Sequence, residues 1–229
     1  MTDTEAAARG AGRSLAEQAY AAIREGVLDA RFAPGAYMLE KELADLLEMS
    51  RTPVREALVR LANEGMVEIR PRHGMRVLPI SADDMAEIYT ILTALESEVA
   101  AEVAARGLPA AELAALKASL AAMTAALDDD DLPAWTVADE AFHRRLVENS
   151  GNRRIRAVIQ QFWDQAHRVR MLTLRIRPKP TASNADHEAL VAAIEVGDAD
   201  RARELHREHR LRNGAMLVAL LRDRGLTQL

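Results

Sequence analysis

Ser50-Arg51-Thr52-Pro53-Val54-Arg55-Glu56-Ala57-Leu58 decides how the first third of the chain is read. Ser50 suits a helix N-cap, and Pro53 falls in the first turn, where a missing amide hydrogen costs nothing. Val54, Ala57, Leu58 and Leu61 then recur at helical spacing, and Gly65 lies just past the end. Arg51 and Arg55 are four residues apart, so they share the face opposite that apolar stripe. The stretch is therefore a short helix anchored on one side and cationic on the other. Its N-terminus adds free amide donors and partial positive charge, which suit phosphate, and Thr52 adds a hydroxyl.

Working outward, Leu39, Leu43, Leu46 and Leu47 form the apolar face of a shorter preceding helix. Before it, Pro34-Gly35 breaks the chain. A first helix starts at Ser14, with Glu17 completing a capping box and Leu15, Ala19, Ile23 and Val27 on one face. On the other side, Met66 to Arg70 and Met75 to Pro79 are two β-type runs around the turn Pro71-Arg72-His73-Gly74, which reads as a hairpin. Three short helices followed by a hairpin make a winged helix-turn-helix. In that arrangement the third helix enters the major groove and the hairpin lies along the backbone or minor groove. Met49 to Arg76 holds six arginines and three glutamates, a charge of +3, whereas residues 1–80 as a whole sum to −1. The positive potential is thus concentrated at the reading edge.

The remainder has a different texture. After Ile80 the strand signal disappears, and helical segments follow at about 82–106, 109–127, 131–149, 152–174, 182–196 and 199–223. Gly107-Leu108-Pro109, Asp128 to Pro133, Pro178-Lys179-Pro180 and Gly197-Asp198 punctuate them. The expected organisation is a mobile tail at 1–13, a winged domain at 14–80 and an all-helical domain at 81–229, in a mainly α fold. The 229 residues carry a net charge of −5 and 3% aromatics, which fits helical domains and excludes a uniformly basic nucleic-acid coat. No cysteine is present, which removes disulfides, thiolate metal sites and cysteine nucleophiles. The N-terminus has no apolar core and no apolar run approaches about 18 residues, so the expectation is a cytoplasmic protein with no membrane partner.

Of the six histidines, His143 stands four residues after Asp139, which places both on one helix face, while Phe142 beside them points to the core. His187 and His209 lie in later helices. Three imidazoles and one carboxylate make a suitable shell for a borderline divalent ion with open positions. Spacing alone favours the plainer reading of four unrelated polar residues.

The run Leu39-Glu40-Lys41-Glu42-Leu43-Ala44, then Ser50 to Leu58, Leu61, Glu64-Gly65 and Arg72-His73-Gly74, closely resembles the GntR family of bacterial transcription regulators over residues 15–79. The resemblance implies that Arg51, Thr52 and Arg55 contact groove and phosphate. It gives Lys41 a basic contact and puts His73 and Gly74 at the wing tip. Asp139 to His143, Ser150-Gly151-Asn152, His187 to Leu190, Gly197-Asp198 and His209 resemble the FCD effector-binding domain of the FadR subfamily, over residues 82–222. That resemblance implies a divalent metal, zinc first and nickel, manganese or iron as alternatives, on Asp139, His143, His187 and His209. His206 competes for the last position, and His167 is read as structural. Family members often carry Arg at the position of Leu92. In relatives that arginine helps hold a carboxylate; here Arg168, Arg170 or Arg175 would have to supply the charge instead, and the effector pocket is expected near Leu92, Glu96, Arg168 and Arg170.

The leading expectation is a metabolite-responsive regulator, a repressor by default, binding double-stranded operator DNA as a homodimer and a small-molecule effector beside the metal. Two alternatives remain: a hydrolase-like enzyme using the Asp/His site, and a regulator that senses the metal itself.

Overall fold

The computed structural model describes residues 13–70 and 73–223. The expected tail, apart from Arg13, and the Pro71-Arg72 part of the hairpin turn lie outside the described residues. The chain divides into two compact units, Met1–Pro79 and Ile80–Leu229. Ile80 packs with the second unit rather than closing the first.

The first unit runs α1 (Leu15–Leu28), β1 (Tyr37–Met38), α2 (Glu40–Leu46), α3 (Arg51–Asn63), β2 (Val67–Arg70) and β3 (Gly74–Val77). The capping box at α1 forms as expected: Ser14 Oγ accepts from the Glu17 amide at 3.2 Å, and Glu17 Oε2 accepts from the Ser14 amide at 2.9 Å. Val54, Ala57, Leu58 and Leu61 of α3 are all buried against Ala19, Ile23 and Leu43. Each large side chain so buried is worth roughly 1.5–3 kcal/mol.

Three details differ from the sequence reading. Ser50 holds the N-cap position of α3 but its side chain makes no cap hydrogen bond. Leu39 and Leu46 are exposed, so α2 is anchored by Leu43 and Ala44 rather than by four leucines. A seven-residue helix spans too few turns to bury a longer stripe. The third difference is an extra strand. β1 pairs antiparallel with β3, Tyr37 opposite Arg76 and Met38 opposite Met75, which gives the order β1-β3-β2. Two residues carry no alternation to read. Gly74, expected at the wing tip, sits at φ +75° with the Met38 carbonyl so close that a Cβ would overlap it. The glycine is required by this strand pairing.

The second unit runs α4 (Ala82–Arg106), α5 (Ala110–Asp128), α6 (Leu132–Glu148), α7 (Arg153–Thr173), α8 (Thr181–Glu195) and α9 (Ala199–Asp223). The long helices α4 and α9 pack along each other, with α7 and α8 also lying on both. The α5/α6 pair is joined to this group through α5 on α8 and α6 on α4. Leu92, Val99, Leu116, Met123, Phe142, Leu146 and Ile159 are fully buried between them. Contrary to the sequence reading, α5 is long and apolar enough by length and composition to cross a membrane. Its alanines raise the mean hydropathy, and its Leu116, Met123 and Leu127 point into the bundle core.

Candidate functional site

The bundle brings Asp139, His143, His187 and His209 together. Asp139 and His143 stand one turn apart on α6, His187 comes from α8 and His209 from α9. All four are buried. His143 Nε2 lies 3.3 Å from His187 Nε2, and Asp139 Oδ1 lies 3.6 Å and 3.7 Å from those two nitrogens. The ligand atoms offered by His143, His187 and His209 lie within 4.8 Å of one another. Phe142 is fully buried and its ring packs on His187, centroids 4.6 Å apart, which fixes the imidazole plane.

Burial, above all, pushes His143 and His187 well below the usual histidine value, and neighbouring positive charges add to it. Arg210 acts this way on His143, and His209 and His143 on His187. His209 is lowered to about 4, again by burial first and then Arg210. Burial thus disfavours the protonated form of all three imidazoles, the form that could not coordinate an ion.

A second group lies behind it. Glu96 of α4 is fully buried, accepting from Trp163 Nε1 at 2.9 Å and from Arg210. Its Oε2 is 3.7 Å from His143 Nδ1 and 3.8 Å from His206 Nε2. His206, the competing ligand in the sequence reading, belongs to this group, not to the Asp139 group. Neither ring nitrogen of His206 has a hydrogen-bond partner. His167 is paired with Glu140, which also accepts from Arg170 at 2.9 Å.

A cavity of about 170 Å³ opens beside the first group. Asp139, His143 and His209 line it, together with Tyr89, Trp135 and Asn213. Its walls carry five cationic side chains: Arg170, Arg177, Lys179, Arg210 and Arg212. Arg170 was expected there. Leu92, Glu96 and Arg168 were expected too but do not line it. Leu92 is fully buried in the α-helical core, Glu96 is sequestered by Trp163 and Arg210, and Arg168 is buried away from the cavity. Burial lowers Arg168 to about 10. Arg177, Lys179, Arg210 and Arg212 escaped sequence reasoning: Arg177 and Lys179 sit in the Pro-containing connection before α8 and carry no periodicity, and spacing along α9 does not say that Arg210 and Arg212 border a cavity.

In the first unit, Lys41, Arg51, Thr52 and Arg55 are exposed on α2 and α3, as is His73 beside β3. Arg51 and Arg55 do not behave as an equal pair. Arg55 donates to both oxygens of Glu40, at 3.2 Å and 2.7 Å. Those hydrogen bonds lower Glu40 below its usual range, outweighing slight burial, and the charge of Arg51 contributes. Glu40 thus pins the Arg55 fork at the start of α3.

Comparison with known proteins agrees with both units. Residues 15–77 match the family of bacterial regulatory proteins called gntR, and residues 87–212 match the FCD domain. An HTH-type transcriptional regulator from the TAR-I ttuE-ttuC' intergenic region of Agrobacterium vitis is 44% identical over 139 residues, 60% of this chain and 80% of its own. The HTH-type transcriptional repressor RspR of Escherichia coli is 26% identical over 193 residues, 84% of each chain. The solved structure of E. coli McbR/YncC superposes with a TM-score of 0.76 at 25% identity, covering 91% of this chain and 99% of that one. The first two are named as HTH-type transcriptional regulators, and together with the gntR and FCD matches they place this chain among regulators in place of the hydrolase reading. A winged DNA-binding unit and an FCD bundle on one chain, each matched in order, make this protein a member of the GntR family of DNA-binding transcriptional regulators.

Proposed function

We propose that the protein is an effector-responsive repressor whose helical unit binds a divalent ion on Asp139, His143, His187 and His209 and an anionic small molecule in the adjoining cavity. The donor set suits the ion. Two atoms about 2.1 Å from one ion at a tetrahedral angle lie about 3.4 Å apart. Among Asp139, His143 and His187 the separations of 3.3, 3.6 and 3.7 Å are close to that edge, and the ligand atom of His209 lies within 4.8 Å of those of the other two imidazoles. Neutral imidazoles and one carboxylate favour zinc, with nickel, manganese and iron compatible in ligand type. A bound ion would supply Lewis-acid chemistry at these residues.

The single observation that carries the effector reading is the composition of the cavity wall, where Asp139, His143 and His209 share an otherwise largely apolar lining with five cationic side chains. Arginine forks recognise carboxylates bidentately, so a small organic acid is the favoured class. Burial pushes Arg177 below the usual arginine range, as does the neighbouring Arg170, a situation that an incoming anion relieves. Repression is supported by the relative named as a repressor. The homodimer is supported by the single reading helix of the first unit, which serves one half-site of an inverted repeat.

The test is a fluorescence-anisotropy titration of operator DNA with zinc-loaded and metal-stripped full-length protein, with and without a panel of small carboxylates. An acid that releases DNA only from the zinc-loaded form supports the reading. Release by zinc alone makes the ion itself the signal, and no response to either rejects effector control through this site.

A further inference from the structure

One contact on His209 selects its tautomer. Its Nδ1 lies 3.0 Å from Asp186 Oδ2, and an ionised carboxylate only accepts, so the ring hydrogen sits on Nδ1. Asn213 Nδ2 lies 3.1 Å from Nε2 and 3.4 Å from Nδ1, so it sits over the ring and does not choose between the two nitrogens. With the hydrogen on Nδ1, the ring's lone pair is on Nε2. Asp186 immediately precedes His187 on α8, so one dipeptide delivers one proposed ligand and grips another. Asp186 is itself held: Arg212 of α9, a cavity-wall residue, donates to the same Oδ2. None of the other ring nitrogens of the proposed ligands is backed this closely. His143 Nδ1 is 3.7 Å from Glu96, and His187 Nδ1 has no hydrogen-bond partner.

We infer that Asp186 is a positioning residue for the proposed metal site, fixing His209 as the Nδ1–H tautomer so that Nε2 faces the ion, with Arg212 anchoring the carboxylate. This rests on the metal reading above. A carboxylate behind a ligand imidazole restricts the ring's orientation and raises its basicity, and removing one weakens metal binding by about 10–100-fold.

The experiment uses full-length, metal-stripped protein and zinc alone. Zinc affinity is measured by competition with a chromogenic chelator for the wild type, Asp186→Ala, Asp186→Asn, His209→Ala and the Asp186→Ala/His209→Ala double variant. Asp186→Ala is expected to bind zinc about 10–100-fold more weakly. Asp186→Asn keeps the shape and an accepting oxygen and should fall between it and the wild type, with unchanged melting of the metal-free form. In the His209→Ala background the second substitution should add nothing, because Asp186 acts through that ring. A merely structural role would still add its own loss. Two-bond proton–nitrogen spectra of the metal-free wild type should show His209 as Nδ1–H, and Asp186→Ala should show mixed tautomers. Stoichiometric zinc binding with equal affinity in Asp186→Ala, or an Nε2–H His209 in the wild type, overturns this inference while leaving the metal site standing. A wild type that takes up no zinc overturns the metal reading and this inference with it.

Discussion

At the scale of single residues, the buried histidines make stability depend on pH in a definite direction. His143, His187 and His206 lie well below their usual value and His209 lies near 4, all chiefly through burial. An unfolded histidine takes up its proton near about 6.5. Below that value the unfolded chain binds more protons than the folded one, so stability is full above about 6.5 and falls as the solution is acidified toward 4. Thermal melts of the metal-free protein should therefore drop steadily between pH 7 and pH 5. Flat melting over that window would mean that the imidazoles are hydrated. For zinc the same protons compete with the metal, so its affinity should fall over the same range. His143→Ala and His187→Ala each remove a proposed ligand, and both should lower zinc content and abolish the melting increase that zinc gives the wild type. Elemental analysis of untagged protein, with a chelator control on melting, checks this. On the DNA side, Arg51→Ala should weaken specific operator binding by about tenfold or more if its contact is a bidentate one to a base, with folding unchanged because the side chain is exposed. Equal affinity in an anisotropy titration would remove Arg51 from the interface. Glu40→Gln frees the Arg55 fork and makes a separate probe of whether that fork must be held in place to read DNA.

At the scale of elements, the contact between α4 and α9 is set by Gly214. A Cβ there would meet the Tyr89 ring at 2.7 Å, and Tyr89 is both buried and a wall of the cavity. Gly214→Val should cost about 1–3 kcal/mol through overpacking, more than the few tenths gained in helix propensity. It should also disturb small-acid binding by displacing the tyrosine. Urea denaturation checks the first effect; a stability equal to wild type would show that α9 can shift outward at no cost. Much of this arrangement was legible beforehand. The helices of the second unit were readable to within about two residues, because Gly-Pro and Asp-rich breaks interrupt long apolar stripes. The Asp139 to His143 spacing reads directly as one helix face. The boundaries of the cavity were not readable. They depend on how α4, α7 and α9 approach one another, and on a connection whose Arg177 and Lys179 follow no period. Glu96 and Arg168 show the same limit from the other side: helical spacing places a charge on a face but does not say which neighbour covers it.

At the scale of the whole molecule, the two units hold separate hydrophobic clusters with no residue in common. Each cluster is large enough to define its own cooperative unit. The proposed ion touches only α6, α8 and α9, all in the second. Scanning calorimetry of the intact chain should then resolve two transitions, and zinc becomes a label that tells them apart. At one hundred times its dissociation constant, a ligand stabilises the unit that binds it by about 2.7 kcal/mol. For a unit of this size that raises the midpoint by about 5 to 10 °C. The transition that moves belongs to the bundle and the one that stays belongs to the DNA reader. If both rise together by the same amount, heat sees one body where the cores are two. The ion would then be strengthening the reading head from a distance, a coupling that a repressor could use to register its ligand without any contact between ligand and DNA.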